Sequence, residues 1–535
     1  MKKRAEKGTI KPNRRQVVGA LATAGLAPQA LAQSRGPASK AKVDAFLDRN
    51  IETVVVIFAE NRSFNNLFPN FPGLQQPLSS VPKERLVQRD RDGTILANLP
   101  PIWGGLVPTE QTLEGAKHQI GQDAITGLSN APFPLRAPDG GLLPHGLITR
   151  DLVHAFYHNQ MQINGGKNDC FVAWGDSGAL VMGHYGDTAA ETRIAALARE
   201  FTLCDNFFMG AFGGSFLNHQ YLVAAQPPFY PDADKSAAAK LIAQLDGSDP
   251  MGTRLKPLDG TPASAMTGPP RFGANALSPD FWAINTMMPP FPPTTRDESS
   301  PLRVPPQLHK SIGDALSDKG VDWAWYAGAW QMALDGETDL RRGFPPRPNF
   351  QVHHQPLNYF QSFAPGTAAR ERHLRDGGLG SIAESNKVIA AARRGTLPAV
   401  SFYKPEGDLN MHAGYSNVAE GDAHIAAVVD ALRAGPQWQK MLIVVTFDEN
   451  GGWWDHVAPP KGDRWGPGTR IPAILISPHV KKGHVEHSVY DTGSIMRFLN
   501  RRFGLEILPG VEMRDQGMRA QEGFAPGDLT EALNV

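Results

Sequence analysis

The sequence predicts an α/β fold in which a mostly parallel β-sheet carries helices on both faces. Short runs of β-branched and apolar residues alternate with segments whose apolar residues recur at helical spacing. Two of the runs end directly in polar residues, which is typical of buried strands that deliver side chains to the carboxyl edge of a parallel sheet. Hydrophobic residues make up 41% and charged residues 20% of the 535 residues, the proportions of a folded globular protein.

Four runs are interpreted as buried parallel strands: IETVVVIF (51–58), LPAVSFY (397–403), MLIVVTF (441–447) and RIPAILISP (470–478). The first is followed by the polar residues AENRS, and the third by DEN. Helical patterns cover residues 419–435 and 491–504, and each closes on a glycine. Because ligands of open α/β sheets bind beyond the carboxyl ends of the strands, the polar residues after these runs are candidates for a functional site.

The rest of the chain is divided by composition. Residues 1–32 fit a twin-arginine signal peptide, because Arg14-Arg15 precede a mild apolar stretch that ends in a small-x-small cleavage pattern. A short helix with a basic start is the alternative. The proline-rich stretch 226–306 is interpreted as an insertion or lid within a catalytic domain of residues 45–505. Residues 506–535 are interpreted as a tail packed on the surface.

These features bear on location and partners. Export predicts a periplasmic or secreted protein with the twin-arginine machinery as a partner, and no apolar stretch of the sequence suits a transmembrane span. Lys and Arg total 53, as do Asp and Glu, so bulk charge does not support a nucleic-acid binder. Cys170 and Cys204 allow one disulfide, but their spacing does not decide whether they meet. The oligomeric state is not predicted.

Asp448 and Glu449 are adjacent carboxylates placed directly after a predicted strand. Like charges in that position repel each other and are costly to desolvate, and a divalent cation offsets both effects. The alternative is that one carboxylate points to solvent while the other caps a helix. Glu60-Asn61 is a second pair of oxygen ligands at a second strand end, and oxygen ligands suit a hard divalent ion. We therefore expect a metal site between the two strand ends.

Ser215 follows Gly213-Gly214 in a short loop, which favours a tight turn that exposes the hydroxyl. The loop lacks the G-x-S-x-G pattern of a nucleophile elbow, and a helix cap is the alternative interpretation. A serine hydroxyl beside a metal loses its proton more readily and becomes a nucleophile. Four of the 16 histidines lie in polar loops, where imidazole can bind phosphate oxygens or protonate a leaving group: His154, His353, His354 and His412.

Four segments, in their order along the chain, resemble the bacterial family of phospholipases C and acid phosphatases: ENRSFNNLFPNFPG (60–73), INGGKNDCFVAW (163–174), GGSFLNHQY (213–221) and FDENGGWWDHVAPP (447–460). The likeness runs from about residue 50 to about residue 505. The resemblance implies an alkaline-phosphatase-like core. It also implies one divalent metal ion held by five residues: Glu60, Asn61, Ser215, Asp448 and Glu449.

The same resemblance implies how the reaction proceeds. Ser215 would attack phosphorus and form a phosphoserine, while Asn61 and Asn218 would contact phosphate oxygens. The four loop histidines would line the phosphate pocket. One histidine would protonate the leaving alcohol, and the candidates for this step are His154, His354 and His412. Lys167 would orient the site, and Asp455-His456 would lie behind the metal ligands rather than among them.

Three features favour the acid phosphatase branch of the family. Ser215 stands where the phospholipases usually carry Thr, the segment HHQPLNYF (353–360) resembles the acid phosphatases, and the chain has no room for the C-terminal modules of the large phospholipases. His219 in place of their usual Arg is a further departure from the phospholipases. We therefore expect a secreted, metal-dependent acid phosphatase that acts on small phosphomonoesters. One alternative is a phospholipase C acting on phosphatidylcholine-type phosphodiesters. A second is an inactive binding protein, which ranks lower because the ligands and the nucleophile are all present.

Overall fold

A computed structural model describes residues 39–535 except 102–109, 120–125, 136–140, 295–298, 339 and 341–347. The predicted signal peptide at residues 1–32 lies outside the described residues. The α-helices of the described chain are α1 Lys40–Asn50, α2 Phe64–Leu67, α3 Phe156–Ile163, α4 Phe171–Trp174, α5 Arg193–Glu200, α6 Ser215–Ala224, α7 Ile312–Asp318, α8 Trp330–Leu334, α9 Ala368–His373, α10 Lys387–Arg394, α11 Val418–Ala434, α12 Gly493–Phe503 and α13 Pro509–Glu522.

The β-strands of the described chain are β1 Thr53–Ala59, β2 Glu110–Leu113, β3 Ala116–Gln119, β4 Phe133–Pro134, β5 Gly183–His184, β6 Thr202–Cys204, β7 Phe207–Phe208, β8 Trp323–Gly328, β9 Leu374–Gly378, β10 Val400–Lys404, β11 Met441–Phe447, β12 Ala473–Ile476, β13 His484–Glu486 and β14 Tyr490–Asp491. Eight of them form one sheet in the order β13-β6-β12-β11-β1-β10-β8-β9. The four predicted strands correspond to β1, β10, β11 and β12, and the two predicted helices to α11 and α12.

The direction of one predicted strand is wrong. β1 pairs in parallel with β10 and β11, as expected, whereas β12 is antiparallel to both β11 and β6. Residues 448–472, which connect β11 to β12, are all described and contain no helix. A parallel connection would need a crossover that carries the chain back to the opposite end of the strands. This loop instead turns back at the end where β11 finishes, so β12 runs antiparallel to β11. The sheet is therefore mostly parallel.

The central strands are covered on both faces. Every residue of β1 and of β11 is buried, and successive side chains of a strand point to opposite faces. The helices pack in separate groups, with α5 and α10 against α11 in one, and α1 and α6 against α12 in another. These observations confirm the α/β class that the alternation of apolar runs predicts.

The segment predicted as an insertion, residues 226–306, differs from the sheet. Its described residues contain no strand and no α-helix, and isolated backbone bridges such as Phe229 with Trp282 hold it together. Asn285 joins it to the rest of the protein, because its Oδ1 accepts a hydrogen bond from Phe156 N at 3.0 Å. This contact places part of the segment beside the loop that precedes α3.

The carboxyl-terminal residues 506–535 contain helix α13 and contribute to the interior. Arg514 of α13 is buried, and its Nη1 lies 2.7 Å from Asp491 Oδ2. The segment is therefore more closely integrated than a tail laid on the surface. Cys170 and Cys204 are buried free thiols, so no disulfide joins them, and burial raises the pKa of Cys170 to about 12. Over the described residues, no helix combines the length and the apolar character needed to cross a membrane.

Candidate active site

The carboxyl ends of β1 and β11 lie side by side. The strands pair in parallel up to their last residues, Ala59 opposite Phe447. Just beyond them, Asn61 N donates a hydrogen bond to Asp448 Oδ1 at 3.2 Å, and Asn61 Nδ2 donates to Glu449 Oε1. The structure thus brings together the two oxygen-rich pairs that follow these strands in the sequence.

Two glycines allow the loop after β11 to fold back over this edge. Gly451 has φ +60°, and a Cβ there would lie 2.5 Å from Asn61 O. Gly452 has φ +76°, and its Cβ would lie 2.7 Å from Leu152 Cβ. Only glycine adopts these positive φ values without strain and leaves room for the neighbouring backbone. The loop can therefore hold Glu449 against Asn61.

Ser215 is the first residue of α6, directly after the glycine turn. Gly213 has φ +97°, and a Cβ there would lie 2.5 Å from Phe156 N, so the turn packs tightly against the start of α3. The hydroxyl of Ser215 donates a hydrogen bond to Glu449 Oε1 at 3.4 Å. The chain therefore presents the predicted nucleophile to the strand-end carboxylates from the N-terminus of a helix.

Asn218 forms its hydrogen bonds with the backbone of the glycine turn, and the contact with phosphate oxygens that the resemblance implies stays a prediction. Its Oδ1 accepts a hydrogen bond from Ala211 N at 2.9 Å, and its Nδ2 donates to Ala211 O at 3.1 Å and to Gly214 O at 3.2 Å. The carboxamide is fully buried, and both of its ends are occupied by the backbone of the glycine turn. Asn218 therefore holds the turn that positions Ser215.

All four predicted loop histidines approach the strand-end ligands. His154 Nε2 lies 3.4 Å from Asn61 Nδ2 and 3.9 Å from Glu449 Oε1. The other three surround Glu60 from their own loops, at Nε2-to-carboxylate distances of 2.6 Å for His354, 3.9 Å for His353 and 3.9 Å for His412. Residues that are more than 250 positions apart in the sequence thus meet within one site.

The structure adds residues that sequence reasoning missed. Lys404, the last residue of β10, has its Nζ 2.6 Å from Glu60 Oε1. Tyr415 OH donates to Glu60 Oε2 at 3.0 Å. His219 lies one turn after Ser215 on α6, with its Nδ1 3.7 Å from Asp448 Oδ2. The signal for Lys404 was its place directly after the apolar run 397–403, the same position that singled out the strand-end carboxylates.

Other residues that the resemblance suggests lie outside the site. Asp455 binds the buried guanidinium of Arg470, with Oδ1 3.1 Å from Nε. His456 Nδ1 lies 3.0 Å from Asn65 Oδ1, so Asp455-His456 supports the loop behind the ligands, as expected. Lys167 is exposed on the surface, and its role in orienting the site stays a prediction.

Burial perturbs the carboxylates strongly. Burial, and then the adjacent Glu449 carboxylate, raise the pKa of Asp448 well above its ordinary value. Burial raises the pKa of Glu449 to about 7. Burial also acts to raise the pKa of Glu60, but Lys404 and His354 outweigh it and hold that pKa well below its ordinary value. Glu60 therefore has a lysine counter-charge at close range, whereas the positive charge beside the Asp448-Glu449 pair comes from His154, 3.9 Å from Glu449 Oε1.

The loop histidines divide into two kinds. Burial acts to lower the pKa of His154, but the carboxylates of Glu449 and Asp151 outweigh it and raise this pKa to about 9. Burial lowers the pKa of each of the other three loop histidines, and that of His354 to about 4. His154 is thus the loop imidazole that holds a proton near neutral pH.

The residues at the strand ends fit a divalent cation. Asn61 Oδ1 and Asp448 Oδ2 are buried, and no described residue donates a hydrogen bond to either atom. Ligand atoms of Glu60, His219 and Asp448 lie within 4.8 Å of one another. A cation placed among them would satisfy the unpaired oxygens and remove the repulsion that raises the carboxylate pKa values.

A cavity of about 1000 Å³ opens over Ser215. The first turn of α6 and the loop histidines His154, His353 and His412 line one side. Residues of the segment 226–306 line another, among them Asn285 and Met288. The cavity is large enough for a leaving group well beyond the size of phosphate, and part of its wall comes from outside the sheet.

The fold and the site define a class of enzyme. A serine at a helix N-terminus, buried carboxylates suited to a cation, and a histidine that holds a proton are the parts needed to transfer a phosphoryl group. Residues 51–506 match the model of the Phosphoesterase family, so the chain belongs to that family. It is therefore a phosphoric ester hydrolase, as the sequence predicts.

The curated relatives are phospholipases C. The chain is 24% identical over 533 residues to phospholipase C B of Mycobacterium tuberculosis, a match that covers 91% of this chain and 78% of the relative. It is 33% identical over 171 residues to the non-hemolytic phospholipase C of Pseudomonas aeruginosa, which covers 26% of this chain and only 24% of that protein. It is 33% identical over 146 residues to non-specific phospholipase C6 of Arabidopsis thaliana, over 21% and 28% of the two chains.

Solved structures with some likeness include a protein of the alkaline phosphatase superfamily from Vibrio parahaemolyticus, with 11% identity and a TM-score of 0.28 over 61% of this chain and 63% of that one. Another is the lipoteichoic acid synthase of Listeria monocytogenes, with 9% identity and a TM-score of 0.28 over 66% and 70%. These scores are too low to carry an argument, so the α/β assignment rests on the sheet itself.

Proposed function

We propose that the protein is a metal-dependent acid phosphatase that hydrolyses phosphomonoesters through a phosphoserine on Ser215. One observation carries the proposal: Ser215 begins α6, lines the cavity, and donates its hydroxyl hydrogen bond to Glu449 Oε1 at 3.4 Å. A hydroxyl placed between a substrate cavity and a buried carboxylate is suited to nucleophilic attack.

The N-terminus of α6 provides the phosphate site in this proposal. Gly214, Ser215, Phe216 and Leu217 line the cavity, so the N–H groups of the first helical turn, which have no partner within the helix, belong to its wall. These groups and the positive end of the helix dipole favour a phosphate dianion. The nearby imidazoles add hydrogen-bond partners for the equatorial oxygens, on which negative charge develops in the transition state.

The proposed reaction has two steps. Ser215 Oγ forms a bond to phosphorus and passes its proton to Glu449, while the bond to the leaving oxygen breaks and that oxygen takes a proton from His154. Water then attacks the phosphoserine and gives a proton to the neutral His154; Ser215 Oγ recovers its proton from Glu449, and inorganic phosphate is released. A divalent cation held at the two strand ends would lower the pKa of the serine hydroxyl and neutralise charge on the phosphate.

His154 suits the role of proton donor for two reasons. Its Nε2 is 3.9 Å from Glu449 Oε1, on the cavity side of the nucleophile, and its pKa of about 9 keeps it protonated through the neutral and acid range. His354, a candidate from the sequence, has a pKa of about 4 and lies outside the cavity lining. The proposal therefore assigns the proton to His154 and a supporting place beside Glu60 to His354.

The second candidate function is hydrolysis of phosphatidylcholine-type diesters, as a phospholipase C. The similarity to curated phospholipases C favours it. Exposed apolar side chains on the segment 226–306 also favour it, because Met251 is 78% exposed and Leu258 45% exposed on the segment that helps to line the cavity. Serine rather than threonine as nucleophile and the segment 353–360 support the monoesterase.

The test compares p-nitrophenyl phosphate with p-nitrophenyl phosphorylcholine from about pH 4 to pH 9, a range that spans the ordinary pKa of histidine. Faster release of p-nitrophenol from the monoester, with an optimum on the acid side, supports the phosphatase. Preference for the diester moves the function to the phospholipase. Ser215→Ala is expected to lose roughly 10³-fold or more in kcat, while Ser215→Thr retains a hydroxyl and measurable turnover. Near-normal turnover by Ser215→Ala would remove the mechanism.

We also propose twin-arginine export to the periplasm or beyond. The support is the pair Arg14-Arg15 before a mild apolar stretch and a small-residue cleavage pattern. The experiment replaces both arginines by lysine, which keeps the charge and removes the twin-arginine pattern. Retention of an uncleaved precursor in the cytoplasm is the expected result, and unchanged export of that variant would contradict the proposal.

A further inference from the structure

Lys404 is a fully buried lysine that the proposed reaction does not use. It is the last residue of β10, the strand that pairs with β1 on the side away from β11. Its side chain has 0% exposure, its Nζ lies 2.6 Å from Glu60 Oε1, and its Nζ lies 5.6 Å from the centroid of the Phe58 ring. Burial of an ammonium group is unfavourable unless it is paired, and the close contacts that compensate it in the described chain are Glu60 and the ring face.

Glu60 belongs to two clusters that could each hold a metal ion. One contains Glu60, His219 and Asp448, and the other contains Glu60, His353 and His354, and within each cluster the ligand atoms lie within 4.8 Å of one another. Two imidazoles and a carboxylate are a ligand set that binds divalent transition metals. Both ring nitrogens of His353 are buried, and no described residue forms a hydrogen bond with them. The side chains alone would therefore permit two ions that share Glu60.

The ammonium of Lys404 lies against Glu60, the carboxylate that the two clusters share. Lys404 Nζ and His354 Nε2 both lie 2.6 Å from the same oxygen, Glu60 Oε1. A second cation bound through that oxygen would have to displace Lys404 or accept a like charge at close range in a buried environment, where such repulsion is strong. The first cluster faces this conflict less directly, because no described lysine or arginine forms an ion pair with Asp448, although Lys404 attracts its carboxylate from a longer distance.

We propose that Lys404 is a built-in cation of the active site, which holds Glu60 in place and takes the position of a second metal ion in the Glu60-His353-His354 corner. Two consequences follow. The site binds one divalent ion, on the side of Asp448 and Glu449. Glu60 also keeps its counter-charge before any metal is bound, so the metal-free chain can fold with this carboxylate buried.

The experiment measures zinc content and thermal unfolding of the full chain and of Lys404→Met. Wild type is expected to hold one zinc per chain after equilibration with excess zinc and desalting, and Lys404→Met to hold two. In EDTA, Lys404→Met is expected to melt on the order of 5 °C or more below wild type, because removing one partner leaves a buried charge unpaired. Added zinc is expected to remove most of that difference.

The matched control is Arg514→Met, which breaks the buried ion pair that joins α13 to Asp491. Its loss of melting temperature is expected to be the same in EDTA and in zinc. An equal loss for Lys404→Met with and without zinc would show that Lys404 is an ordinary buried contact and would overturn the proposal. Two zinc ions per wild-type chain would also overturn it, and that measurement does not depend on whether the variant folds. None of these readouts requires the substrate to be known.

Discussion

Glu449 is the residue whose replacement gives the sharpest test of the electrostatics. Burial raises its pKa from the ordinary 4.5 to about 7, so the folded metal-free protein holds the neutral form more tightly than the unfolded chain does. At about 1.4 kcal/mol per unit of pKa, this rise corresponds to roughly 3 kcal/mol. A group with a raised pKa contributes stability that is fully present below pH 4.5 and is lost as pH rises through about 7.

Glu449→Gln imitates the neutral carboxyl at every pH. In EDTA near pH 4, the variant and wild type should therefore have similar free energies of unfolding. Near pH 8 the variant should be more stable than wild type by roughly 3 kcal/mol, because only wild type then buries an ionised carboxylate at position 449. With an excess of a divalent cation the order should reverse, since wild type gains stability from binding the ion and the variant has lost a ligand.

The assay is urea-induced unfolding of both proteins across this pH range, with and without EDTA. The difference between the two proteins is the relevant quantity, because the buried histidines that do not contact Glu449 change the stability of both in the opposite sense. Burial lowers the pKa of His158, His309 and His424 to about 4, so their contribution to stability is lost as pH falls. A difference between wild type and Glu449→Gln that stays constant with pH would refute the reasoning.

Three further predictions concern the reaction. His154→Asn should lower kcat by roughly 10²- to 10⁴-fold on an alkyl phosphate. The loss on p-nitrophenyl phosphate should be much smaller, because its leaving group needs no proton. Equal losses on both substrates would argue against His154 as the acid. Asn218→Ala should lower kcat through a looser glycine turn without weakening inhibition by inorganic phosphate, and a matching loss of phosphate affinity would restore the direct contact implied by the resemblance. Asn285→Ala should change KM for bulky esters while leaving small monoesters unaffected, because Asn285 joins the segment 226–306 to Phe156; a uniform change in KM would contradict a leaving-group role.

The fold class was accessible to sequence reasoning because its signals are local. The runs that became β1, β10 and β11 are short, apolar and bounded by polar residues, and such runs form buried strands wherever they pair. The direction of β12 was not accessible, because the apolar pattern of a run does not indicate whether the strand pairs in parallel or antiparallel. Its direction follows from the path of residues 448–472, which the periodicity of the run itself does not contain.

The residues of the candidate site also differ in how far the sequence alone identifies them. Asp448 and Glu449 stand out in the sequence because two adjacent carboxylates at a strand end need a compensating charge. Lys404 follows an apolar run as the carboxylates do, but a lysine in that position is ordinary until its neighbours are known. The same holds for a histidine in a helix, such as His219. The hydrogen bonds of Asn218 with the glycine turn were not accessible for the same reason, because the partners of a carboxamide depend on how the turn folds around it.

By itself, the sequence determined which residues could act as ligands and nucleophile, because acidity, nucleophilicity and burial in a strand are properties of residue types and their spacing. The tertiary structure decided which charges face each other. It paired β1 with both β10 and β11, and so placed Lys404 on one side of Glu60 and Asp448 on the other. The electrostatic interaction of buried groups depends on distances across the sheet, and these distances arise only when the strands associate.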